Sequence, residues 1–256
     1  MLKNLLEHWA FIFPITTLRY VVFSGIAFVF FYLWKKQPFL HKKIQQKFVA
    51  NKEMKREIGY SLLTLFIFSL VGTFLFYLTE KGYTKIYRNF SDYSVWYFLF
   101  SCVCMIIVHD TYFYWAHRFM HWKKIYRFVH RIHHISTNPT PWAAFAFHPL
   151  EAIVEVAILP IMAIAIPLHP AAIIVWLLFM TLENVMGHCG FEIFSSGFTQ
   201  NRITGISNTS VHHNMHHRFV NCNYGLYFNF WDKIMKTNHP KYHETFEQVA
   251  SQRKIA

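Results

Sequence analysis

Charged side chains are scarce in this chain of 256 residues. Asp, Glu, Lys and Arg together make up 15% of the sequence, whereas soluble domains carry about 25%. Hydrophobic residues make up 54% and aromatic residues 20%, so a soluble fold would leave much apolar surface in contact with water. The composition therefore excludes a disordered chain and favours a membrane protein.

Acidic residues are especially few, because 13 Asp and Glu stand against 25 Lys and Arg, a net charge of +12 with histidine neutral. The four cysteines form neither a CxxC motif nor a disulfide framework. The chain also lacks linkers rich in Gly, Ser or Pro, repeats and low-complexity tracts. We therefore expect one membrane domain, residues 1–256, and no separate module for nucleic acid.

Long apolar runs, in contrast, are abundant. A spanning helix needs about 20 apolar residues, and residues 11–34 and 58–78 are two such runs. Residues 95–108 continue without Pro or Gly into HDTYFYWAHRFMH, which predicts one helix that crosses the membrane and emerges from it. Residues 152–168 and 171–187 predict a helical hairpin that either spans the membrane or enters it only partly. The predicted fold is an all-α membrane bundle of about four or five helices.

The distribution of basic residues predicts the orientation of this bundle. Residues 35–57 carry eight Lys and Arg against two Glu, whereas residues 79–94 carry three basic and two acidic residues. Cytoplasmic loops have the excess of Lys and Arg, so residues 35–57 are predicted to face the cytoplasm. The third helix and the closing hairpin then both end on the cytoplasmic side.

Histidine is the unusual residue of the composition, with 17 copies. Isolated histidines such as His8, His41 and His169 are typical of surface or capping positions. The others recur three or four residues apart, which places imidazoles on one face of a helix. These clusters are HRFMH (His117 and His121), HRIHH (His130, His133 and His134) and HHNMHH (His212, His213, His216 and His217). Together with His188 they fall on the predicted cytoplasmic side and indicate a histidine-rich helical cap that holds metal.

The ligand count limits the choice of metal without deciding it. Zinc sites use three or four ligands, and HExxH and the Glu-x-x-His pairs of carboxylate di-iron bundles are absent. Imidazole suits iron, copper and zinc alike, so the residues alone indicate a histidine-rich dinuclear site. A membrane zinc hydrolase, a metal transporter and a bis-histidine haem protein stay open as alternatives.

Several strings in this order resemble one known family. They are HDTYFYWAHRFMH, HRIHH, TPWAAFAFHPLE, NVMGHCG, HHNMHH and NYGLYFNFWDKIMKT, within residues 95–237. The sequence resembles the fatty acid hydroxylase superfamily, which includes sterol desaturases, sterol methyl oxidases and sphingolipid hydroxylases. The resemblance implies that residues 95–237 are the catalytic region, residues 1–94 membrane anchor helices and residues 238–256 a cytoplasmic tail.

The resemblance also implies two irons per chain, molecular oxygen as cosubstrate, and hydroxylation or desaturation of a lipid that is sterol-like, fatty acyl or sphingolipid-like. Zinc can occupy the same nitrogen sites in purified protein. Some relatives carry a further histidine where this chain has Glu192. The implied ligands are His117, His121, His130, His133, His134, His188, His213, His216 and His217.

Other residues are candidates for supporting roles. Histidine ligands commonly donate their other ring N–H to a carboxylate or carbonyl, and Asp110 shares a helix face with His117 and His121. Glu155 and Glu183 lie in apolar segments, where they must pair with a histidine or arginine or stay neutral. Further candidates beside the ligands are Asn184, His109, His148 and His212, and candidates for lining a lipid channel are Tyr114, Trp142 and Phe145.

The chain also lacks the motifs of a redox partner of its own. There is no GxGxxG loop for flavin or nicotinamide and no HPGG haem motif. We therefore expect an external electron donor, a ferredoxin or a cytochrome b-type protein with an NAD(P)H reductase, drawn to the basic cytoplasmic face. A bacterial inner membrane and an endoplasmic reticulum both fit this prediction.

Overall fold

The computed structural model of the protein describes residues 2–251. Within these residues it contains helices and no β-strand. Single turns of 3-10 helix lie between several of the α-helices, and α1 continues as a π-helix over Val29–Trp34. The helices are α1 (Leu2–Phe28), α2 (Lys36–Phe39), α3 (Asn51–Glu80), α4 (Val95–Met120), α5 (Tyr126–Val129), α6 (Arg131–His134), α7 (Pro149–Ala165), α8 (Pro170–Gly187), α9 (Ser210–Phe219), α10 (Phe230–Ile234) and α11 (Tyr242–Ala250).

Four of these elements are long and apolar enough to cross a membrane: α1 with its π-helical extension, α3, α4 and α8. The prediction of an all-α membrane bundle is confirmed. The third predicted span does continue as one helix through HDTYFYWAHRFMH, because α4 runs from Val95 to Met120. The Ser94 side chain caps this helix by accepting a hydrogen bond from the Tyr97 backbone N–H.

The predicted hairpin forms with one shift in its first helix. This helix, α7, occupies Pro149–Ala165, three residues earlier than residues 152–168. His148 caps its start by accepting from the Leu150 N–H, and Ile166 leaves the helix because a residue before proline is pushed into an extended conformation. At 17 residues α7 is shorter than about 20 residues, the usual length of a spanning helix. His169 caps α8, as predicted for an isolated histidine.

The long helices pack into one bundle. Helix α1 lies along α3, and α4 packs against α7 and α8. The 3-10 turn Pro141–Phe145 fits between α1, α3 and α8, where the Trp142 carbonyl accepts hydrogen bonds from Tyr20 Oη at 2.9 Å and Ser61 Oγ at 2.8 Å. These bonds tie the first two spans to the segment that follows the HRIHH cluster.

The ends of several elements meet at one side of the bundle. The last turn of α4 and the residue after α8 both carry histidines, and so do α6 and α9. Helix α9 packs against α8 and α11, and Thr209 caps it by accepting from the His212 N–H. The topology therefore gathers the third histidine cluster, which is far along the chain from the first two, into one cap with them.

Candidate metal centre

The first cluster of convergent imidazoles, the five-histidine group, joins three parts of the chain. Its ligand atoms lie within 4.8 Å of one another. The Nε2 atoms of His117 and His130 are 3.0 Å apart, those of His130 and His134 3.1 Å, and those of His121 and His134 3.2 Å. Two ligands about 2.1 Å from one ion would be about 3.0 Å apart at right angles and about 3.4 Å apart in a tetrahedral site. The members are His117, His121, His130, His134 and His216.

The second cluster, the four-histidine group, lies beside the first. His188 Nε2 lies 3.0 Å from His213 Nε2, 3.1 Å from His217 Nε2 and 3.4 Å from His133 Nε2. The ligand atoms again lie within 4.8 Å of one another. The members are His133, His188, His213 and His217. Each group therefore has the dimensions of a coordination shell around one ion.

Consecutive residues contribute to different groups. His134 and His216 belong to the five-histidine group, whereas their neighbours His133 and His217 belong to the four-histidine group. The rings of His134 and His217 are 5.1 Å apart between centroids. Helices α6 and α9 thus each contribute to both groups, so the two groups form one continuous cluster of histidines.

Backbone carbonyls fix the protonation of three ligands. A carbonyl oxygen can only accept a hydrogen bond, so the Nδ1 atoms of His117, His188 and His216 must carry the proton. They donate to the carbonyls of Tyr224 at 2.9 Å, Asn184 at 2.7 Å and Cys222 at 2.6 Å. In a neutral imidazole the other nitrogen, Nε2, then keeps its lone pair. These lone pairs point into the groups, which is the state that metal binding requires.

A carboxylate supports a fourth ligand, and only in the five-histidine group. His130 Nδ1 lies 2.7 Å from Glu151 Oε1, with 2% and 1% of the two side chains exposed. Sequence reasoning did not assign this role to Glu151, although the residue ends the quoted string TPWAAFAFHPLE. No helical periodicity connects it to His130, because 21 residues separate them. In the four-histidine group, the described contact of this kind is the hydrogen bond from His188 to the Asn184 backbone carbonyl.

Burial keeps the ligands neutral. Eight of the nine side chains are buried, and His121 is partly exposed. Burial, and secondarily the neighbouring imidazoles, lower the pKa of His134 to about 3. Burial also lowers the pKa of His188 to about 4 and the pKa values of His133, His213 and His217 well below the usual value. Unprotonated nitrogens packed this closely form a binding site for a cation.

The comparison with known protein families points the same way. The sequence profile described as fatty acid hydroxylase matches residues 102–237, which is more than half of the chain. The chain belongs to the fatty acid hydroxylase family. All nine histidines of the two groups lie inside the matched segment.

Several proteins similar to this chain are sterol-modifying enzymes. Human lathosterol oxidase is 31% identical over 210 residues, which cover 81% of this chain and 65% of the human protein. Mouse lathosterol oxidase is 32% identical over 197 residues, 76% of this chain and 64% of the mouse protein. A Delta(7)-sterol 5(6)-desaturase of Aspergillus fumigatus is 30% identical over 236 residues, 84% of this chain and 70% of that protein.

The matched segments therefore span slightly less than two thirds of the two lathosterol oxidases. No solved structure matches the chain.

Asp110, which the sequence indicated as a partner of a histidine ligand, instead holds a loop that orients two ligands. Its Oδ1 accepts from the backbone N–H groups of Tyr227 at 2.8 Å and Phe228 at 3.2 Å. Although it shares a helix face with His117, seven residues place it about 10 Å farther along the axis. The loop that it holds, residues 220–229, supplies the Tyr224 and Cys222 carbonyls that orient two ligands.

Asp232 holds the same loop and was not a sequence candidate. Its carboxylate accepts from the N–H groups of Tyr224 at 2.9 Å and Gly225 at 2.7 Å. His212, a candidate that joins neither group, lies 3.6 Å from Asp232 and 3.1 Å from Asn238 Oδ1. Such contacts depend on the folded loop, so spacing along the chain does not reveal them.

The remaining supporting candidates are placed as follows. Asn184 orients His188 through its carbonyl, while its side chain donates to the Ala144 carbonyl at 2.7 Å. His109 Nδ1 lies 2.8 Å from Tyr227 Oη and outside both groups. His148 caps α7. Glu192 is buried and accepts from the N–H groups of Phe194 and Val211, so it anchors the start of α9 and belongs to neither group.

Two cavities lie at or near this centre. The outer cavity, of about 250 Å³, is bounded by the end of α8, residues 193–210 and His213 of the four-histidine group. The inner cavity, of about 40 Å³, lies within the bundle, and its lining Phe147 is 5.1 Å from the His133 ring. Phe145, one candidate for a lipid channel, lines the inner cavity. Trp142 packs on Tyr20, and Tyr114 bonds to Thr237, each outside these two cavities.

Proposed function

We propose that this chain is a membrane-bound di-iron lipid oxidoreductase that uses molecular oxygen to hydroxylate or desaturate a C–H bond of a lipid. The observation that carries the proposal is the pair of imidazole groups whose carbonyl partners leave Nε2 lone pairs facing inward. The names of the relatives, lathosterol oxidase and Delta(7)-sterol 5(6)-desaturase, favour a sterol-like substrate for this chain.

The donor set fits two irons. Nine neutral imidazoles exceed the three or four ligands of one zinc, and imidazole is a good ligand for iron. The five-histidine group would hold one ion and the four-histidine group the other. Iron so bound supplies the capacity to activate oxygen and to oxidise an unactivated C–H bond. On this proposal, residues 95–237 carry the reaction and residues 1–94 anchor them.

The chain itself contributes orientation, burial and access. The carbonyls of Tyr224, Asn184 and Cys222 hold three imidazoles in place, and the buried walls keep water away from the reacting carbon. The outer cavity lets a lipid reach His213 from the side of the bundle. A lipid held mostly by the bilayer presents one carbon to the metals, and such positioning selects the bond that reacts.

Electrons must come from outside, since the sequence has no flavin, nicotinamide or haem motif. We propose a ferredoxin or a cytochrome b-type protein, supplied by an NAD(P)H reductase, as the donor. The basic residues Lys123, Lys124 and Arg127 lie in and after the loop between α4 and α5 and would attract an acidic partner. This loop lies beside the five-histidine group, where Tyr126 packs 5.4 Å from His121. The positive charges also support our proposal that the histidine cap faces the cytoplasm.

The test is oxygen-dependent conversion of a lipid by protein isolated from iron-replete cells. Reconstituted protein with a reductase, donor and NADPH should oxidise lathosterol or a total lipid extract in air and leave it unchanged under argon. Turnover that needs neither oxygen nor reductant would contradict the proposal and favour a zinc hydrolase. Iron-loaded protein that oxidises none of these lipids would also overturn it.

A further inference from the structure

The inner cavity contains a carboxyl group that the protein does not partner. Glu155 on α7 lines this cavity, one helical turn beyond Glu151, which bonds to His130. Within residues 2–251, no hydrogen bond or ion pair is formed by the Glu155 carboxyl group. Its side chain keeps some accessible surface, since it is neither fully buried nor exposed.

This placement is chemically unusual. The other lining residues are mostly aromatic or aliphatic, and Phe113, Phe145 and Met180 are among them. A polar group that leaves water without a hydrogen bond is destabilising, and an ionisable residue inside a membrane bundle is a mark of function. The nearby His109 is already bonded to Tyr227 Oη. A molecule that enters the cavity can supply the partner that Glu155 does not have within residues 2–251.

The two cavities define the path of such a molecule. Both are lined by Asn184 and Leu226, so these two side chains form the partition between them. Leu226 lies in the loop between α9 and α10 and is partly exposed. The rim of the outer cavity includes Leu182 and Ile193, which are 45% and 44% exposed. A lipid that enters at this apolar rim and displaces Leu226 passes His213 before it reaches Glu155.

The size of the inner cavity limits what binds there without rearrangement. Its 40 Å³ hold about one or two water molecules, so only the leading end of a lipid that has displaced Leu226 replaces that water. Glu155 is about 6 Å farther along α7 than Glu151, the residue beside the ligand His130. The leading polar group would thus lie one helical turn along α7 from the residue that supports His130.

We propose that Glu155 determines specificity by hydrogen bonding to a free hydroxyl group at the leading end of the lipid, so that the substrate is a lipid alcohol. A carboxyl group and a hydroxyl group can each donate and accept, and the two match without a net charge. A cationic lipid fits less well, because aromatic and aliphatic walls would strip it of water. This inference rests on the proposed function for the role of the lipid as substrate.

The experiment compares free and capped lipid alcohols in binding to the zinc-loaded protein in nanodiscs. The probes are lathosterol and its 3-O-methyl ether, and 1-octadecanol and methyl octadecyl ether. At least one alcohol should bind about tenfold more tightly than its ether, the effect of one buried hydrogen bond. Glu155→Leu should reduce this preference to less than about twofold, whereas Glu155→Gln, which keeps hydrogen-bonding groups, should retain most of it.

Two controls separate hydrogen bonding from packing. Leu159→Ala enlarges the same cavity and should change the affinities of alcohol and ether equally. Glu183→Leu removes a carboxyl group that lines only the outer cavity and should preserve the preference. If Glu155→Leu does not insert, Glu155→Asp, which is one methylene shorter, should weaken binding of the alcohol and leave the ether unchanged.

The inference is overturned if neither alcohol binds saturably, if wild-type protein binds both alcohols and their ethers equally, or if Glu155→Leu keeps the preference. Oxygen-dependent turnover of the same probes tests the proposed function separately. Selective binding without any oxidised product would reject the proposed function and support the alcohol site. Oxidation of alcohol and ether at equal efficiency would do the reverse.

Discussion

The two histidine groups are similar in size and differ in their surroundings. The five-histidine group has a buried carboxylate, Glu151, behind His130. The four-histidine group has the Asn184 carbonyl behind His188 and opens at His213 onto the outer cavity. A carboxylate behind a histidine makes it a more basic ligand. On the proposed function, this difference predicts that the first group would hold an ion more firmly, while the second would leave an ion accessible to substrate.

Removal of one ligand from each group is the strongest test of this division. His216 and His217 are adjacent on α9 but belong to different groups. We expect His216→Ala and His217→Ala each to retain one of two metals per chain and to lose more than about 99% of lipid oxidation. Metal analysis and product quantification check this prediction, with the exposed His243 as a matched His→Ala control. Loss of both metals from both variants would show that the groups are not separate.

Removal of the carboxyl group behind His130 should affect one group only. Glu151→Gln keeps the shape of the side chain but replaces its carboxyl group with an amide, and loss of such a partner weakens metal binding about 10-fold to 100-fold. We expect the five-histidine group to show this loss and the four-histidine group to keep its affinity. Competition titration with a graded chelator measures both. Asn184→Ala is the counterpart in the other group, and it should have a smaller effect because the orienting carbonyl remains.

Acidification should release metal and destabilise the fold. Burial lowers the pKa of His134 to about 3 and of His188 to about 4, below the value of about 6.5 in an unfolded chain. The unfolded chain therefore takes up protons first as the pH falls below 6.5, and stability decreases by up to about 1.4 kcal/mol per pH unit for each such histidine. Melting temperature and metal content between pH 8 and pH 5 should fall together. Constant values across that range would contradict the neutral state of the ligands.

Substitution of a histidine outside both groups should have the smallest effect. His148 caps α7 and does not belong to either group. His148→Ala should cost about 1 kcal/mol of stability and leave both metals bound. A thermal melt and a metal assay of the same sample are sufficient. Loss of metal from this variant would mean that the ligand sets extend beyond the nine histidines.

Spacing along the chain predicted most of the histidines that converge. The HxxxH and HxxHH patterns include eight of the nine, and the folded chain brings these eight together with His188, which the family resemblance added. His212, which the spacing also placed in a cluster, joins neither group. The assignment of His133 and His134 to different groups depends on how α6, α8 and α9 pack, so no local pattern contains it.

The supporting residues were less predictable for the same reason. Asp110 and His117 lie at similar angles around the axis of α4, but they are far apart along that axis. Asp110 therefore bonds to the loop of residues 220–229 and not to His117. Glu151 and Asp232 act across turns that sequence periodicity does not describe. Helix α4 was predictable because its apolar run contains no Pro or Gly. The end of α7 was not, because Pro167 ends this helix although the residues around it are apolar.

On the proposed function, the two groups bind two irons in each chain. The direct measurement is the metal identity and stoichiometry of protein purified in mild detergent from iron-replete cells without added zinc or chelator. We expect two irons per chain, both lost when His216 and His217 are replaced together. One metal per chain confined to a single group, or well-folded protein without metal after iron reconstitution, would contradict it.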